Sequence, residues 1–279
     1  MNNKKGAFLI FISHHSLILI FLTTLLLFET GELRGQKPFE GKSILAVFAH
    51  PDDESTIAPI LARYTREGAK VYLVIVTDGR YGTNDFHDHL AGETLVATRK
   101  EEMKCAANQL GAELIHLDYH DQLKADEGYD GHVPHARAIV LELKNIIQRI
   151  RPDVLITWGP DGGSTHMDHR LVGASVTQVY LSSEWQKPMS LFFYGTPTES
   201  IDDADTKTLR GQHRKYLRTK ISYSVADLST AFDSYKCHYS QIDPNLTKEE
   251  FMNRRNKNER IIYLRKFEAP SKDADSVFE

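Results

Sequence analysis

Ser43-Ile44-Leu45-Ala46-Val47-Phe48-Ala49-His50-Pro51-Asp52-Asp53-Glu54 passes from an unbroken apolar stretch directly into a cluster of imidazole and carboxylate groups. The apolar part is short and has no helical period. It stops at His50-Pro51, where proline biases its predecessor away from helical geometry. A strand buried on both faces is the expected structure. A helix is predicted from about Thr56 to Glu67, ended by Gly68. Val71–Thr77 reads as a second strand, closed by Asp78-Gly79.

The same alternation continues downstream. Arg80–Gly92 is polar and aperiodic. Glu93–Leu110 is predicted helical with Gly111 as its stop, and Leu114–Leu117 is a short strand. His135–Arg151 carries Ile139, Leu143, Ile146, Ile147 and Ile150 on one face and is an amphipathic helix. Val154–Trp158 is a strand, a helix from about Asp168 to Leu181 follows, and Met189–Tyr194 is another strand. Strands alternating with helices imply a three-layer α/β/α fold, a mostly parallel sheet with helices on both faces. Past Gly195 the pattern loosens. Ile221–Val225 and Ile261–Leu264 read as strands and Asp227–Tyr239 as helix, while Thr247 with Glu250 forms a capping box that opens a short helix.

A chain of 279 residues with 41% hydrophobic residues is long enough for one large α/β domain. The 34 basic and 38 acidic residues give a net charge of −4 without a like-charge block. That argues against a nucleic-acid partner. Lys4 and Lys5 precede an apolar run from about Ala7 to Phe28, which reads as an export signal over residues 1–35. The run is long enough to serve instead as an uncleaved membrane anchor. The expected organisation is therefore a signal or anchor over 1–35 and one domain over 41–279, in an exported protein. Cys105 lies in a helical pattern beside Ala106 and Ala107 and is expected to be a buried small side chain. A bond to Cys237 is conceivable in an oxidising compartment.

Two clusters carry chemistry. One is His50-Pro51-Asp52-Asp53-Glu54, and the other is His166-Met167-Asp168-His169. Each follows a predicted parallel strand, on the sheet edge where ligands of open α/β folds bind. Their residue types suit a catalytic zinc site, which takes three nitrogen or oxygen ligands and leaves a position for water. A further carboxylate can take a proton from that water, and a histidine can serve an oxyanion or a leaving amine.

This pair of motifs resembles the PIG-L/LmbE-type deacetylases, over roughly Ser43 to Gln241. The resemblance implies a Rossmann-like fold and zinc-dependent removal of acetyl from an N-acetylglucosaminyl substrate. By position it implies His50, Asp53 and His169 as zinc ligands and Asp52 as general base. It implies His166 as the residue serving the oxyanion and the amine, with Asp168 orienting that histidine. Looser matches imply substrate contacts from Arg99 and Asp121, and Lys236-Cys237-His238-Tyr239-Ser240-Gln241 resembles another family segment.

Plainer readings stand beside these. His50-Pro51-Asp52-Asp53 alone is compatible with a turn, and His166-x-Asp168-His169 with a helix start. Arg99 and Glu102 at i, i+3 fit an ordinary helix ion pair, and Asp121 fits a turn cap. Phe86-His87-Asp88-His89 reads as a solvent loop or substrate rim, and His116, His120, His132 and His135 as surface residues. Two other functions remain open: an amidase of the same fold acting on a non-sugar or thiol-conjugate amide, and a non-catalytic glycan-binding protein of the cell envelope.

Overall fold

A computed structural model describes residues 36–84, 90–256, 259–269 and 272–278. The signal or anchor expected over 1–35 and the His87-Asp88-His89 loop lie outside the described residues. Among the described residues no helix is long and apolar enough to cross a membrane. Residues 38–279 form one compact unit. In chain order its main elements are β1 (Ser43–Phe48), α1 (Ala58–Arg66), β2 (Lys70–Thr77), α2 (Gly92–Leu110), β3 (Glu113–Tyr119), α3 (Tyr129–Ile150), β4 (Val154–Thr157) and α4 (Met167–Leu181). Then follow β5 (Ser190–Tyr194), the short β6 (Thr196–Pro197), α5 (Ala204–Arg210), the short β7 (Gly211–Gln212), β8 (Thr219–Ser222), α6 (Val225–Tyr235), α7 (Lys248–Asn256) and β9 (Ile261–Lys266).

The main sheet runs β3-β2-β1-β4-β5-β9-β8. β1 to β5 are parallel, and β9 is antiparallel to both β5 and β8. The mostly parallel three-layer fold is thus observed, with an antiparallel edge. Successive β1 residues face opposite layers. Ile44, Ala46 and Phe48 join one core with Ile60, Leu61, Met103 and Leu110 of α1 and α2. Leu45, Val47 and Ala49 join the other with Ile139, Leu143, Val172 and Val176 of α3 and α4. This two-sided burial is why β1 reads as continuously apolar.

The chain winds outward from β1 through β2 to β3, then returns to β4 on the other flank of β1. Ile44 pairs with Val154 and Ala46 with Ile156, so the two strands end side by side. Their carboxyl ends flank the switch point, where an open α/β sheet leaves a crevice.

Several expected boundaries shift. α3 begins at Tyr129, ahead of the expected His135, and carries Pro134 inside. That proline forfeits one backbone bond near the helix start. The rest is anchored by Ile139, Leu143 and Ile147, which are essentially fully buried. The strand expected over Ile221–Val225 is Thr219–Ser222, set by pairing with β9. α6 covers Val225–Tyr235 and not Asp227–Tyr239, because Ser224 and Asp227 form a capping box that starts it earlier. The Thr247–Glu250 capping box opens α7 as expected.

Cys105 departs from its expected burial. It is exposed on α2 and bonded to Cys237, 132 positions away. The bond ties α2 to the turn that follows α6. Cross-links over loops of this length commonly contribute about 2–4 kcal/mol, mainly by restricting the unfolded chain. Reduction under mild conditions is therefore expected to lower the urea midpoint measurably with little change in secondary structure. An unchanged midpoint would show that the bond contributes nothing.

Candidate metal centre and catalytic pocket

Immediately after β1 the backbone folds over a carboxylate. Asp53 Oδ2 accepts the N–H groups of Ala49 at 3.1 Å and His50 at 2.8 Å, and Trp158 Nε1–H donates to it at 3.3 Å. These three donors leave Oδ1 facing the crevice, 3.1 Å from His169 Nε2. His50 Nδ1 lies 3.0 Å from the same nitrogen and 3.6 Å from Asp53 Oδ2.

The outer atoms of both rings define the tautomers. His169 Nδ1 donates to the carbonyl of Gly162 at 2.7 Å, so in the neutral ring Nε2 presents a lone pair. His50 Nε2 lies 3.1 Å from Asp168 Oδ2, so a neutral His50 presents its lone pair at Nδ1. Three acceptors then converge on one point, an arrangement that only positive charge resolves. Two imidazole nitrogens and one carboxylate oxygen, with the outer imidazole atoms held by a carbonyl and a carboxylate, are the donor set and outer support of a zinc site. The residues therefore fit the ion.

Donor atoms of His50, His166 and His169, and of His50, Asp121 and Asp168, also lie within 4.8 Å of one another. In those groupings the extra members have other partners. His166 Nδ1 accepts the Asp168 N–H at 3.2 Å, Asp168 accepts Gln122 N–H at 2.8 Å, and Asp121 accepts Gly79 and Tyr81 N–H at 2.9 and 3.0 Å. The triad of His50, Asp53 and His169 is the one whose lone pairs are left facing each other.

The ionisation of the pocket follows its charges. Burial pushes His50 down, but the hydrogen bond to Asp168 and the charges of Asp53, Asp121 and Asp168 raise it to about 9. Burial would raise Asp53, yet its bond to His169 and the charges of both histidines hold it well below the usual carboxylate range. Asp52 is pushed up to about 6, chiefly by burial, with Arg99 opposing and Asp53 adding to the rise. Burial, then the charges of His50 and His169, lower His166.

Asp52 occupies φ 110°, ψ −20°, a left-handed conformation that side chains with a β-carbon rarely adopt. Its N–H donates to Glu54 Oε2 at 3.1 Å, and its carboxylate receives Arg99 Nη2 at 2.7 Å. Together with His50, Asp53, His166, Asp168, His169, Tyr81 and Gln241 it lines a cavity of about 300 Å³, at the small end of ligand sites. A larger cavity of about 890 Å³ beside α4 is lined mostly by apolar groups, including Leu181, Phe193 and Phe267, and holds none of the clustered histidines and carboxylates.

Both sequence clusters thus meet as expected, and one finer expectation is corrected. Asp168 does not orient His166 through its carboxylate, which faces His50 and Gln122. His166 is the N-cap, with extended backbone at φ −61° and ψ 133°, so its ring turns back onto the Asp168 N–H while the Asp168 carboxylate reaches His50. Arg99 and Asp121 border the cavity but are turned inward, only 3% and 4% exposed. Arg99 donates to the carbonyls of Gly79 and Pro51 and to Asp52, and does not pair with Glu102, which instead holds Ser240. Asp121 closes the loop after β2 onto the loop after β3. Both line the cavity and hold its walls.

Sequence reasoning left Trp158 unassigned. Its ring stacks parallel on His169, with centroids 4.4 Å apart. It also missed the salt bridge of Glu54 with His238, 2.7 Å, in which both side chains are fully buried. The acidic cluster contained Glu54, but nothing local named its partner 184 residues away.

Comparison with known proteins agrees with this layout. A family profile described as GlcNAc-PI de-N-acetylase, PIG-L, matches residues 45–180. The chain is 36% identical over 221 residues, 69% of its length and 73% of the relative's, to a 1D-myo-inositol 2-acetamido-2-deoxy-alpha-D-glucopyranoside deacetylase of Catenulispora acidiphila. Its fold is similar to N,N'-diacetylchitobiose deacetylase from Pyrococcus horikoshii, with TM-score 0.62 and 19% identity, covering 93% of this chain and 95% of the other. It is also similar to the 4-carboxy-2-hydroxymuconate hydratase from Pseudomonas putida, with TM-score 0.58 and 14% identity, covering 84% and 100%. The same fold therefore serves a different reaction in that protein, and fold alone does not choose the chemistry.

Proposed function

The chain belongs to the PIG-L family of GlcNAc-PI de-N-acetylases, and from that premise we propose that it is a zinc-dependent hydrolase releasing acetate from an N-acetylated glucosamine unit. The observation that carries the proposal is the convergence of His50 Nδ1, Asp53 Oδ1 and His169 Nε2 beside the Arg99-held carboxylate of Asp52, which lines the same cavity. A binding module has no use for that carboxylate. The names of the relatives support the sugar, and the donor set supports the metal.

When bound by those three residues, a zinc ion supplies the positive charge that makes a water acidic and polarises a carbonyl. Asp52 accepts the proton of the attacking water. Arg99 and the Asp52–Glu54 backbone bond keep that carboxylate aimed into the cavity. His166 accepts at Nδ1, so its neutral ring carries the proton on Nε2 and can hydrogen-bond the carbonyl oxygen as charge builds there, while the proton taken up by Asp52 is the one returned to the departing nitrogen. Asp168 holds His50 in the tautomer that leaves Nδ1 bare. Loss of such an outer partner commonly costs about 10–100-fold in metal affinity, so Asp168→Ala is expected to weaken zinc binding by that factor in a competition titration. Unchanged affinity would remove Asp168 from this role.

Beyond Gln122, His166 and Asp168 the surface opens into a trough bordered by Tyr129, Val133, Met167 and Leu171, which offers room for whatever the sugar is attached to. The Cys105–Cys237 bond supports export, since disulfides persist in oxidising compartments. The substrate assignment is tested by supplying zinc-loaded protein with N-acetylglucosaminides and with non-sugar acetamides and thiol-conjugate amides. Acetate release from the glycosides supports the reading. Turnover confined to the other amides contradicts it.

A further inference from the structure

Among the described residues the most fully enclosed ion pair lies behind the pocket, outside its lining. His238 follows α6 in a turn, and its Nε2 donates to Glu54 Oε1 at 2.7 Å, with both side chains at 0% exposure. The other oxygen of Glu54 accepts the backbone N–H of Asp52 at 3.1 Å. Asp52 is the residue held at φ 110°. A left-handed conformation in a residue with a β-carbon costs about 1–3 kcal/mol and persists only where its surroundings over-determine it. Here Arg99 holds the side chain of Asp52, the Ser55 N–H donates to its carbonyl at 3.0 Å, and its own N–H is held by the Glu54 carboxylate, which His238 fixes in turn.

The turn that carries His238 is itself tied down. Cys237 is bonded to Cys105 on α2, and Ser240 gives both its N–H and its hydroxyl to Glu102 of α2, at 2.6 and 2.8 Å. Arg99, one helical turn before Glu102, reaches the Asp52 carboxylate. Thus α2 meets Asp52 twice: at the carboxylate directly through Arg99, and at the backbone through the stapled turn, His238 and Glu54.

We infer that His238 is a positioning residue for the reaction proposed above, acting through Glu54 to hold Asp52 in the left-handed conformation that aims its carboxylate at the pocket. His238 donates no proton to substrate and binds no metal. Its contribution rests on the proposed role of Asp52 as proton acceptor and is confined to that role.

The test compares His238→Ala and His238→Gln in the full zinc-loaded chain, on the best N-acetylglucosaminide. Small misplacements of a reacting group commonly cost on the order of 100-fold in rate, so His238→Ala is expected to lower kcat by about 10–100-fold. KM and bound zinc per chain should stay within about twofold, as a change confined to the reacting step requires. His238→Gln, whose amide can still donate to Glu54, should recover most of the loss. The discriminating measurement is the same substitution made in an Asp52→Asn background. If His238 acts through Asp52, it adds almost nothing there, because effects within one unit are not additive. Equal losses in both backgrounds, loss of zinc, or an undiminished kcat in folded His238→Ala would each overturn the inference. If His238→Ala does not fold, His238→Gln made with and without Asp52→Asn decides on the same terms, near-wild-type kcat for the single variant supporting the inference and equal losses overturning it. Absence of turnover in the wild-type chain would instead refute the functional proposal.

Discussion

Asp52→Asn is expected to lower kcat for acetate release by about 100–10,000-fold, the usual contribution of a positioned acid or base, while bound zinc and the melting temperature barely change. Asparagine has the same shape and can still accept from Arg99 through its carbonyl oxygen, so the loop keeps its support. What it lacks is the capacity to take a proton from water. Asp52 is not among the three converging donors, so removing its charge leaves the donor set intact. A variant that retained wild-type kcat would show that the base lies elsewhere. A variant that lost zinc would show that Asp52 is a ligand, and that the division of labour between the adjacent carboxylates is wrong.

Asp53 should behave in the opposite way. Asp53→Ala removes the oxygen facing His169 and strands the N–H groups of Ala49 and His50, which now donate to it. Zinc affinity is expected to fall by more than about 100-fold, beyond what loss of an outer hydrogen-bond partner costs, with acetate release reduced to background. Stranded buried donors cost about 1–3 kcal/mol each, so some loss of stability is expected as well. Asp53→Asn separates the two effects. Its side-chain oxygen can still accept from the backbone, so stability should largely return, whereas the missing charge keeps zinc binding poor. Wild-type zinc stoichiometry in purified Asp53→Asn would exclude Asp53 from the centre.

The two variants also show why the site was legible in sequence. His50 and Asp53 follow the end of β1 directly and His169 lies in the first turn of the helix entered from β4, and parallel strands deliver their carboxyl ends to one edge. Local motifs therefore carried the three-dimensional arrangement. The β1 stretch was legible for the same reason, since burial on both faces leaves an unbroken apolar run. What failed was whatever depended on rotation or long-range pairing. His166 and Asp168 are two residues apart, and adjacency suggested a contact between side chains, whereas the N-cap ring takes the Asp168 backbone N–H and the carboxylate turns to His50. Arg99 looked like a surface ion pair or a substrate contact because its actual partners, the carbonyls of Gly79 and Pro51, are backbone atoms that no motif records. Cys105 looked like a buried alanine substitute because its partner is 132 positions away. His238 and Glu54, 184 positions apart, are the extreme case.

One zinc ion at His50, Asp53 and His169 is proposed to make this chain an N-deacetylase. The most direct test strips the purified full-length protein with a chelator, then titrates zinc back while acetate release from an N-acetylglucosaminide is followed. Negligible turnover is expected in the stripped protein, with recovery that rises linearly to a plateau at one zinc per chain. Release of acetate by metal-free protein at the wild-type rate, or no release after one equivalent of zinc is bound, would contradict it.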